Sequence, residues 1–434
     1  MPLDLSALSR QIRAMSGSLA TEASDKQDRQ ALALGRYLEE SDAHAEWARA
    51  ADLSRETTAW LLARPVEPLN AAYDLPPRPA DYALVATDGS QIDVERHGMA
   101  ACYVINVGRV FLRYGARPAA KLSARPTLYY RDEDLYLSDG VRRIPIEGNY
   151  LSAKRDVEEG IALADLADEF LPPADELLSA DNADSRGYRQ ETFDTIRVNL
   201  RASADRVPAI ALQDGTLVRW TLAGAERMVQ EQFLRPYLAY LDRMRARGTP
   251  VASYISRPRA PEVAGTIRLM LCPDVRLSEG RGAKCSECSD AAAGRAPSCY
   301  VCQGLTDADI LADMLAEGQR GPLFVSMSRI NVESYGPHLI HFFYMRVGRE
   351  VARVEIPRWV AEDRAMVDLV HTLIYDQCAK GQGYPVALAR AHEQAIVRAA
   401  DRRAFLSIVE GSLLRAELPA SDSKKRESKE RQAL

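Results

Sequence analysis

Apolar residues near the amino terminus recur at alternating spacings of three and four: Leu5, Leu8, Ile12, Met15 and Leu19. That rhythm predicts an amphipathic helix whose seam is offered to another helix. The seam serves packing within the chain or docking onto a partner or a second copy. Helical pattern continues through Leu32, Tyr37, Leu38, Trp47 and Leu61, so residues 1–77 read as a helical region, closed by Pro65, Pro68, Pro76, Pro77 and Pro79. The pattern then changes to strands. Asp81–Asp88 is apolar and β-prone and ends on an acid followed by Gly89-Ser90. Met99–Val107 and Arg109–Tyr114 flank Gly108 and read as a hairpin, giving three adjacent antiparallel strands. Thr127–Tyr130 and Leu135–Leu137 are short strands or loop. Val157, Ile161, Ala164 and Leu166 give Ser152–Phe170 the apolar face of a helix, with Ser152 as a cap.

Beyond a polar loop at about 175–188 and a helix to about Ala204, Val207–Asp214 forms a second strand ending in Asp-Gly-Thr. A helix over Leu217–Arg247 and a strand over Pro250–Ser256 follow. Strands are expected at Leu323–Ser326 and His338–Arg346, the latter pairing with Gly348–Pro357. A helix covers Arg364–Ala379. After the Gly383-Tyr384-Pro385 turn, another runs past His392 to Phe405. The order strand–strand–strand–helix–strand–helix–strand is the layout of an α/β, ribonuclease H-like mixed sheet flanked by helices. That fold's chemistry needs an acid on the first strand, the first helix and the fourth strand. Asp88, Glu158 or Glu159, and Asp214 occupy those places. The expected divisions are a helical region (1–77), a core (78–271 with 306–415), a cysteine insert (272–305) and a disordered charged tail (416–434).

The 434 residues carry 56 basic and 61 acidic side chains, a net charge of −5, so a nucleic-acid contact must be local, in a groove. No apolar run reaches membrane-spanning length, and the start lacks a signal peptide's apolar core, which predicts a cytoplasmic protein.

Asp-Gly is a common turn dipeptide, and one copy would mean no more than a turn. Two copies closing buried-looking strands set two carboxylates side by side, and the usual answer to such repulsion is Mg²⁺ or Mn²⁺. Cys285-Ser-Glu-Cys288 and Cys299-Tyr-Val-Cys302 provide two knuckles, enough for a closed tetrahedral Zn²⁺ site of structural type. Reduced cysteines without metal, or a disulfide, are the alternatives. Cys272 is a spare, and Cys102 and Cys378 read as core. His392 alone would be structural, His341 reads as core, and His97 as loop. Arg257 and Arg259 are either phosphate contacts or solvated loop charge.

Five stretches in order, Thr87-Asp88-Gly-Ser-Gln, the helix with Arg155 and Glu159, Leu212-Gln-Asp214-Gly-Thr-Leu217, Ser253-Tyr-Ile-Ser-Arg257, and Gly383-Tyr384-Pro385 followed by Ala391-His392-Glu393, resemble the NurA nucleases across residues 80 to 410. The resemblance implies Asp88, Glu159, Asp214 and His392 as Mn²⁺ ligands, with Tyr384 lining the site. Glu159 is chosen over Glu158 because it lies four residues after Arg155. It also implies a homodimer that resects DNA 5′ to 3′, cuts single strands, and works with a HerA-type ATPase. Mechanistically, two cations roughly 3.5–4 Å apart would activate water and steady the leaving oxygen. The imidazole favours Mn²⁺ over Mg²⁺. The cysteine insert and the loop near 175–190 depart from simpler members. A catalytically silent DNA-binding scaffold and an RNA nuclease are the other readings.

Overall fold

The computed structural model describes residues 4–39, 41–93, 101–138, 140–171 and 207–418. His97, the polar loop near 175–190 with the helix expected after it, and nearly all of the tail lie outside the described residues. The protein is a mixed α/β fold of two compact units. One comprises Met1–Leu75, Ile255–Val332 and Leu339–Glu355, the other Pro76–Tyr254, Glu333–His338 and Ile356–Leu434.

In the second unit five strands lie in the order Ala119–Tyr129, Tyr103–Tyr114, Tyr82–Ile92, Ala209–Asp214, Val251–Ile255. In chain order that is 3-2-1-4-5. The first three are antiparallel to one another and the last two join in parallel. The central strand is flanked on both sides, and Tyr82 through Thr87 are all buried. Helix Asn149–Phe170 lies on the sheet and packs against helix Arg227–Ala246, where Gly160 leaves room for the Tyr240 ring. Helix Val386–Ala395 lies across the first two strands.

Several expected boundaries move, each for a physical reason. The Asp88 strand does not stop at its acid but runs on to Ile92, paired throughout with Tyr103–Tyr114. Gly108 is not a hairpin turn. It sits within the Tyr103–Tyr114 strand, and a Cβ there would collide with the carbonyl of Ala391 and lie 2.7 Å from the Ala395 nitrogen. The glycine serves close packing of helix Val386–Ala395, and the true hairpin partner is Ala119–Tyr129. The helix expected over Leu217–Arg247 begins only at Arg227. Before it, the Thr216 hydroxyl accepts the Val218 N–H, and only a 3-10 turn forms at Trp220–Leu222. Ser152 is not a cap, since the helix starts at Asn149. The helix through His392 ends at Ala395, because Asn106 Nδ2 donates to the carbonyls of Gln394 (3.2 Å) and Ala395 (2.8 Å), and Ser90 Oγ also donates to Ala395. A separate helix, Ala399–Arg415, then starts with Asp401 accepting the Arg398 N–H at 2.9 Å.

The first unit opens with helices Leu5–Glu39 and His44–Ser54. Helical structure stops there: Ala63–Pro65 is a strand, antiparallel to Phe324–Ser326, which pairs in turn with Ile340–Val347 and so leads to Glu350–Pro357. Ala33, Tyr37 and Trp47 are buried with Val263, Ile267, Leu305, Phe324 and Phe342. The seam residues Leu5, Ile12, Met15 and Leu19 are 46–66% exposed, so this stretch of the helix is not packed into the core. Among the described residues no helix is long and apolar enough to cross a membrane.

Candidate active site

Thr87 and Gln213 are register partners on neighbouring parallel strands, and Asp88 and Asp214 come one residue later on each. Parallel pairing thus delivers both carboxylates to the same end of the sheet, the carboxyl end where α/β sheets bind ligands. Gly215, at φ +74°, turns the chain immediately after Asp214. Gly89 meets a different need. A Cβ on it would strike Glu159 Oε1 and lie 2.8 Å from Arg155 Cγ. The strand lacks a side chain where the Glu159 helix comes closest.

Glu159 is buried, and Thr87 Oγ1 donates to its backbone carbonyl at 3.1 Å. Arg155 Nε donates to Glu159 Oε1 at 3.1 Å, one helical turn away. Glu158 takes the other direction, pairing with Lys154 at 2.8 Å. Of the two acids left open by the sequence, Glu159 is therefore the one that faces Gly89. Burial pushes its carboxyl up to about 8. Asp156 adds to the rise, Arg155 opposes it, and Asp88 contributes further.

His392 Nδ1 lies 2.7 Å from Asp88 Oδ2. A carboxylate only accepts, so Nδ1 is the donor of this contact and Nε2 is the ring nitrogen not engaged with Asp88. The ring is 64% exposed. Asp88 Oδ1 accepts the Gly89 N–H at 2.8 Å. Tyr384 donates its hydroxyl to Asp214 Oδ1 at 2.6 Å, and its ring meets Tyr254 edge-on. Burial raises the Asp214 carboxyl, the Tyr384 hydrogen bond draws it back, and Asp88 pushes it up again. Burial and the Asp214 charge raise the Tyr384 hydroxyl far above its ordinary value, so it remains a donor.

The second unit thus holds Asp88, Glu159, Asp214, Tyr384 and His392. Arg257 and Arg259 are exposed residues of the first unit, Arg257 with φ +45°. The cysteine motifs also belong to the first unit, on 3-10 turns Cys285–Glu287 and Ser298–Cys302. Cys285 is exposed, Cys302 is buried, and neither motif forms a disulfide. His341 and Cys378 are buried, whereas Cys102 is half-buried. Among the described residues no three His, Cys, Asp or Glu side chains converge closely enough to hold a metal ion. Each catalytic-site carboxylate instead rests on a protein donor: His392, Arg155 or Tyr384. The chemistry of the set nevertheless fits a hard divalent cation. It comprises three carboxylates and one imidazole, and one of the acids is buried beside like charges that a divalent cation would offset.

Sequence reasoning missed Asp156 and Arg219. Arg219 Nη1 pairs with Asp156 Oδ2 at 2.9 Å, and Arg155 Nη2 donates to Asp156 Oδ1 at 3.2 Å. Asp156 could have been found from its position one turn before Glu159. No spacing rule points to Arg219, which lies in the irregular segment read as helix. Gln213, fully buried, accepts from Tyr237 and Tyr240 at 3.2 and 2.9 Å and steadies the strand behind Asp214.

The NurA domain family matches residues 82–397, well over half of the chain. A crystal structure of NurA with manganese is similar over 81% of this chain and 92% of that one, at 10% identity and a TM-score of 0.35. No curated protein matches the sequence.

Proposed function

The chain belongs to the NurA family, and from that premise we propose that it is a metal-dependent deoxyribonuclease that hydrolyses phosphodiester bonds during DNA end resection in double-strand break repair. The observation that carries this reading is that the matched stretch, residues 82–397, contains all five of Asp88, Glu159, Asp214, Tyr384 and His392, and the fold gathers them in one unit. The 3-2-1-4-5 strand order supports a ribonuclease H-like core. Asp88, Glu159, Asp214 and His392 Nε2 are the ligands for Mn²⁺, or Mg²⁺. When bound, such cations activate water and neutralise charge at the scissile phosphate.

The chain's own residues supply the rest. Asp88 holds the His392 ring through Nδ1, which leaves Nε2 as the nitrogen that would serve a cation. Tyr384 fixes the Asp214 carboxylate with its hydroxyl proton and keeps that proton throughout. Glu159 would serve as a ligand in its ionised form, with Arg155 holding Oε1 in place. Exonucleolytic 5′ to 3′ and single-strand endonucleolytic cutting, a HerA-type ATPase partner, a homodimer and a cytoplasmic setting follow from family membership in this reading. Arg257 and Arg259, in Ser256-Arg-Pro-Arg, are the candidate backbone contacts for DNA. The spacing of Cys285, Cys288, Cys299 and Cys302 supports a structural Zn²⁺ site.

The test is incubation of the full-length protein, alone and with its ATPase partner, with linear DNA and Mn²⁺. Outer-shell changes at metal sites cost about 10–100-fold, so Asp88→Ala and Asp214→Ala should cost roughly 100-fold or more while leaving the melting temperature near wild type. If wild type and both variants leave DNA equally intact, the protein is a non-catalytic scaffold. A matched RNA oligonucleotide cut faster than DNA would reassign the substrate.

A further inference from the structure

Asp214 and Glu159 sit on different elements, and one side chain ties those elements together. Arg219 follows Asp214 by five residues. Its backbone N–H donates to the Tyr335 hydroxyl at 2.8 Å, and that hydroxyl donates to the Leu217 carbonyl at 2.8 Å. The segment after Asp214 is therefore clamped at two points, and it aims the Arg219 side chain inward, where it is 5% exposed. The guanidinium lies 4.7 Å from the Tyr237 ring centroid and pairs with Asp156 on the Glu159 helix. Asp156 is claimed by two arginines, through Oδ2 by Arg219 and through Oδ1 by Arg155. Arg155 then reaches Glu159 Oε1.

We infer that Arg219 is a positioning residue for the metal site: through the relay Arg219–Asp156–Arg155–Glu159 it locks the segment behind Asp214 to the helix carrying Glu159, so that both carboxylates present their oxygens to one cation. This rests on the nuclease reading above. Asp156 is the relay's counter-ion, each of its oxygens held by a guanidinium group. Arg155 alone does not fix the rotamer of Glu159. With Asp156 replaced by asparagine, the Arg155 guanidinium keeps only Glu159 as a carboxylate anchor; with Arg219 absent, Asp156 keeps Arg155 but loses its tie to the segment behind Asp214, so Asp156, Arg155 and Glu159 shift together.

The experiment is Mn²⁺ binding to the full-length protein, read by the electron paramagnetic resonance signal of free Mn²⁺, for wild type, Arg219→Met, Arg219→Lys, Asp156→Asn and the Arg219→Met/Asp156→Asn double variant. Arg219→Met and Asp156→Asn should each weaken binding about 10-fold or more. The double variant should be no weaker than the poorer single one, and Arg219→Lys should recover part of the loss. Asp156→Asn keeps shape and leaves Arg219 in place, so it decides the matter if Arg219→Met fails to fold. Folded variants that bind Mn²⁺ as tightly as wild type, or losses that simply add, overturn the positioning role alone. A wild type that binds no Mn²⁺ overturns the nuclease reading with it.

Discussion

Glu159 has Asp156 and Asp88 as like-charged neighbours and is cut off from water by its burial beside Gly89. An acid raised in the folded state binds its proton more tightly there than in the unfolded chain. Its favourable contribution is complete below the ordinary glutamate value of about 4.3 and is lost as pH climbs towards about 8. For metal-free protein, Glu159→Gln removes that loss. The variant should match wild type near pH 4 and become more stable by about 1–3 kcal/mol near pH 8, an amount that allows for Arg155 relaxing towards the ionised acid. Denaturant melts across that range check it, and a difference independent of pH would sink the assignment. Tyr384→Phe probes the other acid. Asp214 loses its 2.6 Å donor while the ring stays to pack on Tyr254. Cleavage should fall about 10-fold or more, with a stability loss of at most about 3 kcal/mol, the upper value of a hydrogen bond to a charged group. Unchanged cleavage would remove Tyr384 from the site.

At the scale of elements, helix Val386–Ala395 depends on Gly108. Gly108→Ala places a methyl group against the Ala391 carbonyl, and backbone cannot rotate out of the way as a side chain tip can. The expected cost is about 1–3 kcal/mol, with a larger loss of cleavage than of stability because His392 rides on that helix. Gly224→Ala, where no heavy atom lies within 4 Å of the new methyl group, is the control and should change neither. A Gly108→Ala protein as stable and active as that control would show the helix free to move. The same position explains a limit of sequence reading. A glycine between two apolar β-prone runs looks like a turn by any local rule, and only the helix arriving from almost three hundred residues away makes it a mid-strand residue. Helix ends at Ala395 and at Arg227 were hidden for the same reason: Asn106, Ser90 and Tyr335 decide them from elsewhere in the chain. Asp88 and Asp214 could be placed on strands because each closes an apolar, β-prone run, whereas helical periodicity left Glu158 and Glu159 open and only the family resemblance favoured Glu159.

For the molecule as a whole, the chain leaves the unit that holds Asp88 and Asp214 at Tyr254 and returns to it for good at Ile356, and the cysteine motifs fall in the stretch between. If the four thiolates bind metal, purified protein kept from chelators should carry about one zinc per chain. Elemental analysis decides this, and a preparation with almost none counts against the site. Chelation should loosen the surroundings of residues 285–302 and leave Mn²⁺ binding in the other unit untouched, because a closed thiolate site organises structure and not catalysis. The overall charge of −5 adds a whole-molecule constraint: attraction to DNA has to come from local arginines.

The strand through Asp88 goes on for four more residues, to Ile92, hydrogen-bonded to its neighbour all the way. A carboxylate at a strand's end is carried by a loop and gains its final position only when something arrives to hold it. One set within a strand has its position fixed when the sheet forms. The ordering entropy of Asp88 therefore belongs to folding, and under the proposed function a cation reaching it would find its ligand already still.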